Sequence, residues 1–74
     1  MTAQTKTSLG RYTARQKQQA LARELGFRRR VYATRVAEGR MKQADAEFQI
    51  GIFEELEQEL RQRADAEDQA GRLL

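Results

Sequence analysis

The sequence contains no cysteine, no histidine and no proline among its 74 residues. Without cysteine the chain can form neither a disulfide nor a thiolate metal site, and without histidine it lacks the most common ligand of zinc. A domain of this size buries only about 60% of the surface that its unfolded chain exposes. Because disulfides and structural zinc are excluded, we expect self-association to be the main additional source of stability.

Long apolar runs are also missing. No stretch approaches the roughly 18 apolar residues that a membrane-spanning helix needs. The segment from Met1 to Gly10 lacks the hydrophobic centre of a signal peptide. The sequence therefore predicts a soluble protein of a reducing cytoplasm, with no membrane partner.

The absence of proline agrees with a composition dominated by Ala, Glu, Gln, Leu and Arg from Ala14 onward. These residues are typical of helices. We predict an all-α fold, an antiparallel helical hairpin of two long helices that associates with itself. The expected parts are a flexible basic tail over 1–12, the hairpin over 13–66 with its turn near Gly39 to Met41, and a loose C-terminal end over 67–74.

Charge divides the chain at this turn. Residues 1–42 hold eleven Lys and Arg against two acids, a net charge of +9, whereas residues 43–74 hold three Arg against nine acids, a net charge of −6. In a hairpin the basic helix therefore lies beside an acidic one. Much of the positive charge then has a partner within the same chain, which weakens the usual link between a high pI and nucleic-acid binding.

The predicted second helix has one main apolar face and a smaller second one. Residues of the main face recur every four positions, and they are Ala44, Phe48, Ile52, Leu56 and Leu60, with Phe53 beside them. Ile50 lies roughly opposite, with Ala46 and Phe53. We predict that this second surface packs on another copy of the chain.

The predicted first helix also has two apolar seams. One contains Leu21, Leu25, Tyr32 and Val36, and the other contains Ala20, Phe27 and Val31. A polar strip between them holds Glu24, Arg28 and Arg35. One seam can pack on the second helix and the other on a second copy, which would leave Arg28 and Arg35 near acids such as Glu55 or Glu59. The alternative is a single wide packing face from which the arginine side chains extend to solvent.

Few residues in this chain suit catalysis. Without histidine or cysteine the candidates are paired carboxylates, Tyr12, Tyr32 and Ser8, and Ser8 has no adjacent base. Glu55 with Glu59, or Glu54 with Glu57, have oxygen ligands for magnesium, although a solvated acidic face is the more ordinary interpretation. We predict a non-enzyme without a cofactor or a metal.

Nucleic-acid binding is the alternative function that the charge pattern favours. The candidate phosphate contacts lie in the tail and the first helix, and they are Arg11, Arg15, Lys17, Arg23 and Arg30. The run from Arg28 to Arg30 points in three directions about 100° apart. The helix after the turn is acidic, which is the wrong sign for a recognition helix.

The order of residues between Glu24 and Leu56 resembles that of small proteins from bacteriophages and prophages of proteobacteria. Their pattern is an acid and a Leu, a run of Arg, Val-Tyr-Pro, an aromatic, Val, Gly-Arg-Met and a helix that opens with Thr-Gln-Ala. The matching residues are Glu24, Leu25, Arg28, Arg29, Arg30, Val31, Tyr32, Val36, Gly39, Arg40, Met41, Gln43, Ala44, Ala46, Gln49, Ile50 and Glu54. The chain departs from the pattern at Ala33 in place of Pro, Arg35 in place of the aromatic and Lys42 in place of Thr.

This resemblance implies an accessory protein that works in the cytoplasm of an infected bacterium. Such proteins often bind a host protein stoichiometrically and so modulate or inhibit it. On this hypothesis Phe27, Val31, Ile50 and Phe53 are buried anchors, while Arg28 and Arg35 orient the partner. The same residues could instead serve only the core or a homodimer, and a purely structural oligomerisation module is the second alternative.

Overall fold

The computed structural model describes residues 10–73, which form two antiparallel helices. Helix α1 is Ala14–Ala37 and helix α2 is Gln43–Leu73, and they pack on each other along their length. The all-α hairpin is thus confirmed. Most of the predicted tail lies outside the described residues, and its last part, Gly10 to Tyr12, is not helical.

Helix α1 begins at a capping box. The side chain of Thr13 accepts a hydrogen bond from the backbone N–H of Gln16 at 3.0 Å, and the Gln16 side chain accepts one from the Thr13 N–H at 2.9 Å. Both bonds satisfy donors that the first turn of a helix leaves free. The helix runs without interruption through Ala33, where a proline would remove a backbone donor and bend it.

The end of α1 is a Schellman motif at Gly39. Gly39 has a φ of 76° and donates its N–H to the Val36 carbonyl, while Arg40 donates to the Arg35 carbonyl at 2.8 Å. The left-handed conformation favours glycine because it has no Cβ. The predicted position of the turn is confirmed.

Helix α2 is longer than the sequence pattern predicts. The hairpin was expected to end near residue 66, yet the helix continues to Leu73. Ala64 is completely buried, and Arg15 of α1 forms ion pairs with both Asp65 and Asp68. These contacts attach the last turns of α2 to α1 although their apolar pattern has faded.

Few side chains are fully buried where the helices meet. The buried apolar residues are Ala14, Leu25, Ala46 and Ala64. Leu25 belongs to the first predicted seam of α1, whose other members are half-buried: Leu21, Tyr32 and Val36. That seam therefore packs on α2, but the shared core contains a single large aliphatic side chain among the described residues.

The main apolar face predicted for α2 is only in part the face that contacts α1, since Phe53 and Leu60 lie on the contact line and the rest do not. Phe48, Ile52 and Leu56 point to solvent, and α2 instead turns Ala46 and its neighbours toward α1. The residues of α2 that are buried or half-buried along this line are Ala46, Ile50, Phe53, Glu57, Leu60 and Ala64. The physical reason is that small alanines at both ends allow close approach of the helices, and Gln18 provides a partner for the one acid on this line, Glu57.

Candidate protein-binding surface

An apolar stripe runs along the solvent side of α2. It consists of Phe48, Ile52 and Leu56, which are 65%, 44% and 44% exposed. Their spacing of four residues aligns them on one helical face over about 12 Å. Single exposed apolar residues are ordinary, but a contiguous row of exposed apolar side chains is a candidate interaction surface.

A second group of apolar side chains lies on the outside of α1. Phe27 is 53% exposed and Val31 is half-buried. Both were predicted to lie on a seam that does not pack against α2, and their exposure agrees with that placement. Two of the three phenylalanines in the sequence, Phe27 and Phe48, are therefore exposed in the hairpin.

Contacts between the helices show which residues share a face. The Arg28 guanidinium lies over the Phe53 ring, 4.8 Å from its centre, whereas Arg29 forms a 2.8 Å ion pair with Glu54. Successive helical residues differ by about 100° in direction, so these two contacts flank the helix junction on opposite sides. The hairpin consequently has two distinct faces.

The apolar stripe belongs to the side that carries Arg28, which we name the Arg28 face. Seen along the axis of α2, Glu54 lies on one side of Phe53, and Ile52 and Leu56 lie on the other. Ile52 is rotated from Phe53 by about 100° and Leu56 by about 60°. On α1, Phe27 and Val31 are likewise rotated from Arg28 by about 100° and 60°, to the side away from Arg29. The Arg28 face therefore presents an apolar ridge on each helix.

Arg28 and Arg35 have aromatic and acidic neighbours within the hairpin. Arg28 Nε lies 3.6 Å from Glu24 Oε1 and is buried without a hydrogen bond, and Arg35 lies over the Tyr32 ring at 6.0 Å. Neither arginine forms an ion pair with Glu55 or Glu59 within residues 10–73. Their proximity to these two acids was expected where a second copy packs on the outer seam, so it stays a prediction, and Glu55 and Glu59 are exposed in the single hairpin.

Ile50 and Phe53, predicted as anchors for a partner, lie at the junction of the two helices. Ile50 lines an open groove of about 530 Å³ beside the turn, together with Tyr32, Val36 and Ala46. The expectation that Ile50 and Phe53 form a surface separate from the hairpin contact is therefore wrong. The spacing of Ala46, Ile50 and Phe53 places them on one helical face, and this pattern could have indicated the contact with α1. It is a weaker signal than the stripe because its row contains fewer large apolar side chains.

A polar cluster holds the open end of the hairpin together. Arg15 Nη2 lies 2.5 Å from Asp65 Oδ1 and 3.0 Å from Asp68 Oδ2. These hydrogen bonds, chiefly that with Asp65, raise the pKa of Arg15 above its ordinary value. Because Arg15 has two carboxylate partners in its own chain, it is a poor phosphate ligand in this state.

Gln18 and Glu57 form the buried part of that cluster. Gln18 Nε2 donates to Glu57 Oε2 at 2.6 Å, and Arg61 also donates to this oxygen. The hydrogen bond from Gln18 is the main cause that lowers the pKa of Glu57, desolvation opposes it, and Arg61 adds to the lowering. The Glu57 carboxylate thus accepts hydrogen bonds from α1 and from its own helix.

The other predicted phosphate contacts have mixed surroundings. Arg11 donates to the Tyr12 hydroxyl at 3.1 Å. Arg23 and Arg30 are exposed on the outer side of α1, and the structure gives them no side-chain partner within residues 10–73. Lys17 is half-buried and also has no side-chain partner within these residues. Arg23 and Arg30 are seven residues apart, so they point in nearly the same direction about 10 Å apart.

Paired carboxylates were the only predicted metal ligands. In the part of the chain that the structure describes, no group of three acidic side chains could hold a metal ion. Glu57 is bonded to Gln18 and Arg61, and Glu54 to Arg29. Glu55 and Glu59 remain on the solvated outer side of α2.

Comparison with known proteins gave no match to a family model, a curated protein or a solved structure. Neither helix within residues 10–73 contains an apolar stretch long enough to cross a lipid bilayer.

Proposed function

We propose that this chain is a non-catalytic protein-binding module. The observation that carries the proposal is the apolar stripe of Phe48, Ile52 and Leu56, which the hairpin leaves exposed. Desolvated apolar centres supply most of the affinity of protein interfaces, while surrounding charges orient the partner. Glu55 and Glu59 beside the stripe, with Arg28 and Arg35 across the face, have the signs and positions for that second task.

Stoichiometric binding also agrees with the state of the polar side chains. The carboxylate that is most shielded, Glu57, is already bonded to Gln18 and Arg61. The groove beside the turn combines apolar side chains such as Val36 and Ile50 with the charged Arg29, Glu47 and Glu54. Arg29 and Glu54 form an ion pair with each other, and Glu47 accepts a hydrogen bond from Gln43. These features support contact with another polypeptide in preference to proton transfer.

The resemblance to small phage proteins gives this proposal a biological setting. In that setting the module works in the cytoplasm of an infected bacterium, and it modulates or inhibits a host protein by binding it. Phe27 and Val31 keep their predicted role as anchors. Ile50 would contribute through the groove, and Arg28 and Arg35 would orient the partner.

Site-specific photo-crosslinking tests the proposal. A benzophenone amino acid at position 52 places the probe on the stripe, and the same probe at position 58 places it on an exposed control site of α2. In proteobacterial cells we expect polypeptide adducts from position 52 at least tenfold above those from position 58. Mass spectrometry then identifies the partner, and titration of the purified components measures the stoichiometry. Equal labelling from both positions would contradict the proposal.

A nucleic-acid-binding accessory protein is the second candidate. The specific observation in its favour is that Arg23 and Arg30 are exposed and aligned on α1, with no side-chain partner within residues 10–73. Two aligned cations can meet two phosphates of one backbone. Against it, Arg15, another of the candidate phosphate contacts, forms ion pairs with Asp65 and Asp68 in the hairpin.

A further inference from the structure

We infer that the apolar stripe is covered by α1 of a second copy of this chain, in a symmetric dimer whose two-fold axis is parallel to the helices. This inference rests on the proposed protein-binding role and names the polypeptide that occupies the stripe. The resulting assembly is an antiparallel four-helix bundle. In that dimer the stripe, Phe27 and Val31 anchor the second copy, and a host protein would bind at another surface, such as the groove beside the turn.

The first reason is the small core of the single hairpin. Among the described residues Leu25 is the one large apolar side chain that is buried, and no side chain is less than 2% exposed except for small residues such as Ala64. Proteins of this size that lack disulfides and metals gain stability by burying more apolar surface in an oligomer. The missing buried surface is present on the Arg28 face.

The dimensions of that face suit a dimer. Helix α1 has 24 residues and is therefore about 36 Å long, and two packed helices are about 20 Å wide. The face thus offers about 700 Å² in projection, close to the ~800 Å² per partner of a standard stable interface. A short peptide would cover only part of it.

Charge selects one arrangement of the two copies. Helix α1 holds seven basic residues and one acid, a net charge of +6, and α2 holds three basic residues and nine acids, a net charge of −6. A two-fold axis parallel to the helices places each α1 against the α2 of the partner. One of the two perpendicular axes would instead place α1 on α1, so that like charges would meet. The other would leave the apolar ridges of the two copies unmatched.

The same axis also matches the apolar ridges in height. Arg28 is level with Phe53 in the hairpin, and a rotation about an axis parallel to the helices leaves heights unchanged. Phe27 and Val31 of one copy therefore come level with the stripe of the other. Arg35 lies over the Tyr32 ring and forms no ion pair within residues 10–73. It comes level with the partner's Asp45, whose carboxylate has no ion-pair partner in the described hairpin.

Sedimentation equilibrium of the purified chain is the first test. We expect a dimer, and we expect Ile52→Asp to raise the dimer dissociation constant at least tenfold. Gln58→Asp adds the same charge to the same helix outside the Arg28 face and is expected to leave the constant within about twofold. If Ile52→Asp unfolds while Gln58→Asp remains folded, Ile52 is buried in the native assembly, because its side chain is exposed in the single hairpin.

Cysteine crosslinking tests the orientation, and the chain contains no cysteine of its own. One sample carries Phe27→Cys and the other Ile52→Cys. With a short bis-maleimide we expect covalent dimers in the mixture of the two variants and little in either variant alone. Efficient crosslinking of Ile52→Cys alone would mean that α2 packs on α2, which would overturn the proposed axis.

The outcomes separate this inference from the protein-binding proposal. A wild-type chain that stays a folded monomer up to millimolar concentration overturns the dimer. If its stripe nevertheless crosslinks a host polypeptide from position 52, protein binding stands with a different occupant. A monomer without such adducts removes both proposals.

Discussion

At the scale of single residues, the pairing of Gln18 with Glu57 explains how α2 can turn an acid toward α1. The carboxylate is nearly buried, yet it receives hydrogen bonds from Gln18 and Arg61. A buried charge without such donors would cost several kcal/mol. Because Gln18 lies on the other helix, this bond also defines how the two helices align along their length.

Removal of the amide tests this role. We expect Gln18→Ala to lower the free energy of unfolding by about 1 to 2 kcal/mol at neutral pH, because Glu57 loses its inter-helix donor. Gln19→Ala, at an exposed neighbouring position, is expected to change it by less than about 0.5 kcal/mol. Urea unfolding at one protein concentration measures both.

The effect of Gln18→Ala should depend on pH with a definite sign. The pKa of Glu57 is lowered in the folded state from an ordinary value of 4.5, mainly by the Gln18 hydrogen bond. Its stabilising contribution is therefore complete above pH 4.5 and is lost as the pH falls through the lowered value. The difference between wild type and Gln18→Ala should shrink in that acidic range. A difference that grew on acidification would contradict this account.

At the scale of secondary structure, Gly39 and Gly51 offer a matched comparison. Neither position has a neighbouring atom that an added Cβ would meet within 4 Å, but Gly39 has a φ of 76° whereas Gly51 is helical. We expect Gly39→Ala to cost about 1 kcal/mol because it strains the Schellman turn. Gly51→Ala should stabilise α2 by about 0.5 to 1 kcal/mol. Thermal unfolding by circular dichroism distinguishes the two, and stabilisation by both substitutions would contradict the role of the turn.

The two helices and the turn could be predicted because their signals are local. Helix-forming residues continue on both sides of Gly39, and no proline interrupts them. The far end of α2 was not predictable in this way, since Asp65 and Asp68 continue the helix through ion pairs with Arg15, about 50 residues away in the sequence. The local sequence pattern does not indicate contacts between residues that are so far apart in the sequence.

The orientation of α2 was predicted wrongly for a related reason. Phe48, Ile52 and Leu56 form the more regular row of large apolar residues, so the pattern favoured them as the contact with α1. The actual contact uses Ala46, Ala64 and an acid whose partner is on the other helix. Hydrophobic spacing identifies an apolar face but does not say whether the same chain or another one covers it.

At the scale of the whole molecule, the separation of charge leads to a prediction that distinguishes the two candidate functions. The basic side of the hairpin is neutralised in part by Arg15 with Asp65 and Asp68 and by Arg29 with Glu54. We therefore expect duplex and single-stranded nucleic acids to bind more weakly than about 1 μM at physiological salt, which is the range of non-specific contacts. Fluorescence anisotropy across a salt series measures this.

Submicromolar binding that weakens steeply with salt would reverse that order of candidates. In that case Arg23→Gln with Arg30→Gln should abolish most of the binding. The control is Arg63→Gln with Arg72→Gln, which removes the same total charge from α2. Equal losses in both double variants would indicate a general charge effect instead of a defined phosphate contact.

The antiparallel course of the helices also gives the molecule a polarity along its length. Ala14 and Leu73 lie at one pole and Gly39 at the other, and a two-fold axis parallel to the helices would preserve this difference in the proposed dimer. Any polypeptides joined to the free helix ends would all leave from the first pole, while both turns would project from the second. The proposed dimer would therefore hold two attached polypeptides side by side and direct them the same way.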